Sequence, residues 1–377
     1  MKHRMLLLIT ALAIWSLTTG TTVAQESSAG ADQRVPVAGA VYTMSNAAAG
    51  NSVIVFDRLS DGRLVDAGQV PTGGAGTGSG LGNQGGLTLT GNERWLVAVN
   101  AGSDTVSVFE VRNHGLRLRD VAGSGGKQPV SVTEHHGLVY VLNAGSDSIS
   151  GFVLGQHGLL QALSGSTRAL SGAGTGPAQI SFSPDGDVLV VTEKNTNKIV
   201  TFVLDRNGRP GPAMAQDSNG QTPFGFAFGK RDQLFVSEAF GGAENASATS
   251  SYELGPDGTL RTISASVGTN QTAACWVVVT PNGRFAYATN TGSGSISGYR
   301  IGFDGALELL DADGRTAETG DGSTPIDLAL TDNGRFLYSL NSGSNTIGAF
   351  RVHADGSLVP LPFVDGLPAG ANGLAAR

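Results

Sequence analysis

The sequence predicts an all-β fold: a seven-bladed β-propeller of four-stranded antiparallel blades, closed by the C-terminal strand. Three observations predict it. A strand phrase recurs seven times, a Gly-containing turn follows each copy, and the two ends of the chain carry complementary strand patterns. The composition agrees, because 56 Gly and only 15% charged residues suit short strands joined by tight turns.

The recurring phrase is an apolar strand that ends in Asn, a small loop with Gly-Ser, and a strand that ends in an aromatic residue. Its clearest copies are residues 95–109, 139–152, 285–299 and 336–350. The aromatic marker stands at Phe56, Phe109, Phe152, Phe202, Tyr252, Tyr299 and Phe350. A spacing of roughly 40 to 50 residues fits one blade of four short strands, and the long 3.6-periodic segments of helical repeats are missing.

Each unit also contains signals for its other two strands. The innermost strand is apolar and often follows Pro, as in residues 222–228 and 324–330. The third and fourth strands are joined at Gly, which adopts positive φ without a Cβ clash. These turns stand at Asp61-Gly62, His114-Gly115, His157-Gly158, Asn207-Gly208, Asp257-Gly258, Asp304-Gly305 and Asp355-Gly356.

The two ends of the chain predict how the ring closes. The segment from Ala40 has the pattern of a second strand, while the tail from Pro368 has the pattern of an innermost strand with no unit behind it. We therefore expect the tail to complete the first blade, which gives 28 strands in the predicted propeller. Closure of this kind removes a sheet edge that would otherwise be open to aggregation.

The first residues predict export. Lys2 and Arg4 precede an apolar run from Met5 to Leu17, and small residues precede Gln25, as at a signal cleavage site. We divide the chain into a signal peptide (1–24), an N-terminal linker (25–37) and the propeller (38–377). No later stretch is apolar and long enough for a membrane span, so we expect a periplasmic or secreted protein.

Charge and cysteine content restrict the partners. The formal net charge is -7, and Lys and Arg are scattered, which disfavours nucleic acid as a partner. The single cysteine, Cys275, rules out an intrachain disulfide and lies in an apolar strand. We expect a monomer that binds a small molecule or an envelope or extracellular ligand.

The predicted strand order assigns the histidines to one face. Ligand sites of propellers usually lie where the loops after the second and the outer strands surround the channel mouth. The histidines of the predicted propeller fall in turns of the opposite face: His114, His135, His136, His157 and His353. The site face should therefore carry no histidine, which disfavours a His-based triad or a His-ligated zinc site.

Two Glu residues interrupt the repeated Asn at the end of the second strand. That Asn occurs at Asn46, Asn100, Asn143, Asn290 and Asn341, and Glu193 and Glu238 replace it in blades 4 and 5. If both carboxylates face the channel mouth, their repulsion would leave an acid beside a base, so we take them as the candidate catalytic pair. They would alternatively hold Ca²⁺ with loop carbonyls, or be solvated surface carboxylates; no other cofactor and no transition metal is expected.

Five further residues are candidates for ligand contact. Lys127, Arg168 and Lys194 are cations that would meet an anionic ligand or keep the surface soluble. Asn143 belongs to the repeated Asn set, and Gln179 opens an inner strand. A Gly-rich stretch, residues 71–86, has glycine spacings like those of phosphate loops, but no helix or Lys-Ser/Thr follows, so we expect a flexible connection.

The repeat Y-V-x-N-x-G-S-x-x-(I/V)-S-x-(F/Y), with its P-D-G and D-G-x-L turns, resembles the lactonase-type seven-bladed propellers over residues 38–377. These include bacterial 6-phosphogluconolactonases and fungal carboxymuconate-lactonizing enzymes. A similar strand phrase occurs in surface propellers with a Y-V-T-N repeat, which need not be enzymes.

The resemblance also implies where a site would lie. In the enzymes a Pro-Arg-His segment opens one inner strand and an acidic residue follows the next strand. The corresponding residues here are Pro177-Ala178-Gln179 and Glu193, so the acidic residue is retained while Arg and His are not. A second inner strand that bears His in the family has Pro129-Val130 here, without His.

Two functions remain open from the sequence. One is a lactonase-like hydrolase or lactonizing cyclase acting on a small lactone or sugar derivative, with Glu193 as acid or base and Glu238 tuning it. The other is a non-catalytic exported propeller that binds a glycan, a peptide or a cell-envelope protein.

Overall fold

The computed structural model describes residues 35–113 and 115–377, which form seven antiparallel sheets arranged as the blades of a propeller. The predicted fold class is confirmed. The predicted signal peptide, most of the predicted linker and His114 lie outside the described residues. Within the described part, the structure contains no helix with the length and hydropathy needed to cross a bilayer.

The strands of the first four blades, in chain order, are β1 (Val37–Met44), β2 (Ser52–Leu59), β3 (Leu64–Pro71), β4 (Leu87–Leu89), β5 (Trp95–Asn100), β6 (Thr105–Val111), β7 (Leu116–Gly123), β8 (Pro129–His135), β9 (Leu138–Asn143), β10 (Ser148–Leu154), β11 (Leu160–Ala162), β12 (Arg168–Ala169), β13 (Pro177–Phe182), β14 (Val188–Glu193), β15 (Lys198–Val203) and β16 (Met214–Asp217). The remaining strands are β17 (Pro223–Phe228), β18 (Gln233–Glu238), β19 (Ala248–Leu254), β20 (Leu260–Gly268), β21 (Ala274–Val279), β22 (Phe285–Asn290), β23 (Ser295–Ile301), β24 (Leu307–Leu309), β25 (Ala317–Glu318), β26 (Pro325–Leu330), β27 (Phe336–Asn341), β28 (Thr346–Val352), β29 (Leu358–Val364) and β30 (Asn372–Ala376). Two 3₁₀ turns lie at Ala144–Ser146 and Phe240–Gly242.

Each blade runs outward from an inner strand at the channel. Blade 1 is β30-β1-β2-β3, blade 2 is β4 to β7, blade 4 is β13 to β16, blade 5 is β17 to β20, and blade 7 is β26 to β29. Blades 3 and 6 have a divided outer strand, β11 with β12 and β24 with β25. The described residues therefore contain thirty strands where the sequence predicts 28.

A hydroxyl group explains each divided outer strand. In blade 3, the backbone N–H of Gly151 donates to Ser166 Oγ at 2.9 Å. In blade 6, the N–H of Gly298 donates to Thr316 Oγ1 at 2.9 Å. The side chain thus accepts a hydrogen bond that a continuous outer strand would accept, and the backbone leaves the sheet at that point.

The C-terminal tail closes the ring, as predicted. Strand β30 pairs antiparallel with β1, with Val41 opposite Ala376 and Thr43 opposite Leu374. Arg58 donates from Nε to the carbonyl of Arg377 at 2.8 Å and from Nη2 to that of Ala38 at 2.8 Å. The last strand is therefore held by side-chain bonds as well as by the ladder.

Neighbouring blades pack face to face and are joined by a repeated tyrosine contact. Tyr140, Tyr287 and Tyr338, all in second strands, donate their hydroxyl protons to turn glycine carbonyls of the next blade at 2.7 to 2.8 Å. At one of these turns Gly356 has φ +94°, and an added Cβ would lie 2.7 Å from the Phe285 ring. Gly is thus required there by backbone conformation and by contact between blades.

Candidate functional site

The Asn residues that end the second strands are buried caps of their own blades. Asn100 and Asn290 donate their amide protons to a third-strand hydroxyl, Ser107 Oγ and Ser297 Oγ respectively, at 2.8 Å. Asn143 is fully buried and donates to Ser150 Oγ at 3.3 Å. The side chain of Asn143, a predicted ligand contact, is therefore used within blade 3 rather than presented to solvent.

Glu193 and Glu238 occupy the same cap position and are equally buried. The Glu193 carboxylate accepts hydrogen bonds from the Ser171 N–H at 3.0 Å, from the Ser171 hydroxyl, and from Thr196 Oγ1 at 2.6 Å. Glu238 accepts from Gly220 N at 2.8 Å, Ser250 Oγ at 2.5 Å and Ser266 Oγ at 2.6 Å. Several donors compensate the burial of each charge.

The two carboxylates are held in separate networks. They share no hydrogen-bond partner, and neither lines the cavity at the channel mouth. Over residues 35–113 and 115–377, no group of three or more His, Cys, Asp or Glu is arranged to hold a metal ion. The structure thus places the predicted pair inside blades 4 and 5, with their oxygens already engaged.

One residue beyond each cap, the chain reaches the loop above the channel. The residues at this position are Ala47, Ala101, Ala144, Lys194, Ala239, Thr291 and Ser342. Six of the seven are small and uncharged, and Lys194 is the exception. Lys194, a ligand candidate from the sequence, is thus also the one charged residue at this position of the repeat.

Lys194 lies against aromatic and backbone groups. Its Nζ donates to the Gly82 carbonyl and lies 4.8 Å from the centroid of the Phe224 ring. The Phe224 ring in turn lies 4.9 Å from the ring of Trp276. Burial without a carboxylate partner lowers the pKa of Lys194 to about 8, so the ammonium form predominates at neutral pH and is lost as the pH rises above 8.

The Gly-rich stretch crosses the channel mouth, contrary to the expectation of a flexible connection. We call residues 78–86 the plug. Asn83 and Gln84 are buried and contact inner strands far away in sequence. Trp276 Nε1 donates to the Asn83 carbonyl at 2.7 Å, and Gln84 N donates to the Ala178 carbonyl at 3.0 Å. The glycines allow the chain to pass between strands, because a Cβ on Gly86 would lie 2.9 Å from Asn372 Oδ1.

A cavity of about 340 Å³ lies beside the plug at the channel mouth. Its walls are plug residues 78–82, residues 370–372 of the tail, and the side chains of Trp276, Ile326 and Ser342. None of these lining residues is charged, and Lys194 reaches its edge through Gly82. The arrangement offers an aromatic wall, backbone groups and one adjacent cation, which suits a small polar ring compound.

The other predicted ligand residues lie away from this cavity. Gln179 is buried and links β13 to β17: its side chain donates to the Phe226 carbonyl at 3.0 Å and accepts from Phe226 N at 2.7 Å. Arg168 lies in the outer strand β12 and donates to the Gly211 carbonyl at 3.2 Å. Lys127 is exposed and paired with Asp104 at 2.8 Å. Of the five predicted contacts, the structure brings Lys194 alone to the cavity edge.

The described histidines and the cysteine also lie outside the cavity lining. His136 and His157 lie in the β8-β9 and β10-β11 turns, and His353 begins the β28-β29 turn. Cys275 is buried beside Trp276, and burial raises its pKa to about 11, which keeps the thiol protonated at neutral pH.

Seven antiparallel blades in a ring, with a cavity at the channel mouth, define the protein as a β-propeller. The family described as Lactonase, 7-bladed beta-propeller, matches residues 40–170 and 245–364, and the chain belongs to this family. The resemblance inferred from the repeat is thereby confirmed.

Individual proteins that resemble this chain match it over a short segment or at low sequence identity. A 6-phosphogluconolactonase of Pectobacterium carotovorum subsp. carotovorum (strain PC1) is 35% identical over 83 residues, which span 22% of this chain and 25% of that curated relative. A crystal structure described as a candidate 6-phosphogluconolactonase of Bacteroides fragilis superposes with a TM-score of 0.70 at 17% identity, covering 90% of this chain and 98% of its own. The periplasmic gluconolactonase of Pseudomonas aeruginosa gives a TM-score of 0.68 at 16% identity, covering 88% and 98%. At these identities the two structures show likeness of fold.

Proposed function

We propose that this protein is an exported lactonase that hydrolyses a small sugar lactone in the cavity at the channel mouth. The observation that carries the proposal is Lys194, the cation in a ring of otherwise small, uncharged residues, at the edge of a cavity walled by Trp276. Family membership supports the reaction class. The predicted signal peptide supports export, as does the likeness to a periplasmic gluconolactonase.

In this proposal the sugar ring lies against Trp276 and its lactone carbonyl points toward Lys194. When water adds to the carbonyl carbon, the carbonyl oxygen gains negative charge, and an ammonium group in a water-poor site stabilises that charge. Collapse of the adduct breaks the ring C–O bond; the added water gives one proton to the ring oxygen and its second proton to solvent. The product is a hydroxy acid whose carboxylate pairs with Lys194 before release.

Glu193 has a supporting part in this proposal. Its carboxylate holds Thr196 at 2.6 Å, and Thr196 lies two residues beyond Lys194 in the same loop. Burial and saturated hydrogen bonding favour positioning of the loop over the acid or base role that the repeat suggested. Glu238 has the corresponding place in blade 5, where the residue after the cap is Ala239.

Hydrolysis of a panel of aldonolactones by purified protein tests the proposal. We expect Lys194→Met to reduce kcat/KM by about 100-fold, the usual scale for loss of one charge-stabilising donor. Because the ammonium form is lost above a pKa of about 8, turnover corrected for spontaneous hydrolysis should fall above that pH. Lys194→Arg, which stays charged, should remove this fall.

The matched control is Lys198→Met, which removes a partly exposed lysine of the same blade that pairs with Asp217. An unchanged kcat/KM in Lys194→Met would contradict the proposal. Binding of sugar acids without turnover of any lactone would instead favour the non-catalytic ligand-binding function. Fractionation of the native host, with the protein found in the cytoplasm, would contradict export.

A further inference from the structure

The plug completes a set of contacts that the inner strands otherwise make among themselves. The third residue of an inner strand bonds the backbone of the next inner strand: Ser131 Oγ accepts from Ile180 N at 3.2 Å, and Gln179 binds Phe226. In β17 this position is Gly225, which has no side chain. Gln84 of the plug supplies the missing amide, donating to the Val277 carbonyl at 2.8 Å and accepting from Val277 N at 3.1 Å.

Gln84 and Gly225 fit each other sterically. A Cβ added to Gly225 would overlap Gln84 Oε1 and would lie 2.5 Å from the Cys275 carbonyl oxygen. Gly225 lies outside the left-handed region, so backbone conformation does not demand glycine there. The close approach of the β21 backbone and the space occupied by Gln84 together explain why β17 lacks a side chain at this position.

The contact of Gln84 with β21 holds the part of the plug that borders the ligand cavity. With Gln84 anchored on β21, the preceding carbonyls of Gly82 and Asn83 accept hydrogen bonds from Lys194 Nζ and Trp276 Nε1. Asn83 Oδ1 also accepts from Asn372 Nδ2 of the tail at 3.0 Å. The plug thus sets the positions of two proposed ligand contacts and closes the channel beside them.

We propose that the plug, locked by the fit of Gln84 against Gly225, is the specificity determinant of the site and limits the ligand to a single sugar unit. The cavity of about 340 Å³ is at the small end of the range of ligand pockets, roughly 300 to 1,000 Å³. A second sugar unit would have to enter the space that the plug fills. The identity of the ligand as a sugar acid or its lactone rests on the proposed function.

Calorimetric binding of gluconate, a single open-chain sugar unit, and of cellobionate, which is gluconate with one added glucose unit, tests this inference without requiring turnover. The native protein should prefer gluconate by about tenfold or more, which corresponds to about 1.4 kcal/mol. Gln84→Ala should lower this preference by about tenfold, because the plug loses its anchor on β21. Gln233→Ala is the matched control, since Gln233 is another buried glutamine, whose amide donates to the Phe303 carbonyl in a turn of the opposite face.

A double substitution distinguishes the steric fit between Gln84 and Gly225 from a general loss of stability. Gly225→Ala should lower the urea midpoint of unfolding, and addition of Gln84→Ala should restore part of that loss by removing the overlapping side chain. An unchanged gluconate preference in folded Gln84→Ala, or a native protein that binds neither sugar acid, would overturn the inference. Selective binding of gluconate by a protein that opens no lactone would leave the inference standing and would contradict the proposed reaction instead.

Discussion

At the scale of single residues, the end of each second strand places two neighbouring side chains in different environments. The cap residue is buried within its blade, and the residue after it reaches the channel mouth. The cap side chain lies inside its own blade, whether it is Asn100 or Glu193, and its polar atoms bond neighbouring loops and strands. The next residue reaches the channel mouth, where Lys194 and Ser342 occur. A shift of one position therefore exchanges a structural role for exposure to ligand.

Glu193→Gln tests this separation. The amide would place N–H groups against the Ser171 and Thr196 donors, so we expect a loss of about 1 to 3 kcal/mol in unfolding free energy. Turnover per folded molecule should fall by less than tenfold. Glu238→Gln, the same change in blade 5, should give a similar loss of stability. A drop of about 100-fold or more in kcat for either variant, with stability retained, would restore the acid-base role.

At the scale of elements, the inner hairpin turns of blades 2 and 7 meet beside the closing blade. The carboxyl group of Glu93, in the β4-β5 turn, lies beside that of Asp332, in the β26-β27 turn. This carboxylate neighbour, together with burial, raises the pKa of Glu93 to about 7, against the opposing effects of Arg377 and Arg58. Protonation of Glu93 thus relieves the repulsion between carboxyl groups of two turns that are distant in sequence.

This contact predicts a pH dependence of stability. A carboxyl whose pKa is raised on folding binds more protons in the folded than in the unfolded chain, between pH values of about 4.5 and 7. The unfolding free energy should therefore decrease as pH rises through that window. Chemical denaturation at several pH values should show a smaller decrease in Glu93→Gln than in the native protein and in the exposed control Glu253→Gln. An equal pH dependence in all three would contradict the contact.

At the scale of the whole molecule, the ring depends on its last strand. Leu374 of β30 is buried in a cluster that contains Val41 of blade 1 and Tyr338 of blade 7. Leu374→Ala should cost about 2 to 5 kcal/mol, as for other large buried side chains, and should expose the edge of β1 to aggregation. Phe363→Ala, at a side chain that is 63% exposed, is the control. Equal thermal stability of the two variants would show that closure contributes little.

Much of this architecture could be predicted from the sequence, because strand patterns and turn glycines are local signals that repeat. Closure by the tail followed from the same pattern. The divided outer strands could not be predicted, since one hydroxyl at Ser166 or Thr316 decides where the backbone leaves the sheet. The plug was missed for a similar reason: glycines allow a path, but its destination is set by contacts such as Gln84 with Val277, which are remote in sequence. The catalytic role predicted for Glu193 and Glu238 awaits its test.

The plug is also synthesised long before the residues that it contacts. Gln84 leaves the ribosome 193 residues ahead of Val277, and Asn83 leaves 289 residues ahead of Asn372. Blades 2 to 4 can therefore pair their own strands during translation while the segment that bridges the centre waits for its distant partners. The ligand cavity is consequently completed only once residues 370–372 have been synthesised, because these residues form part of its wall.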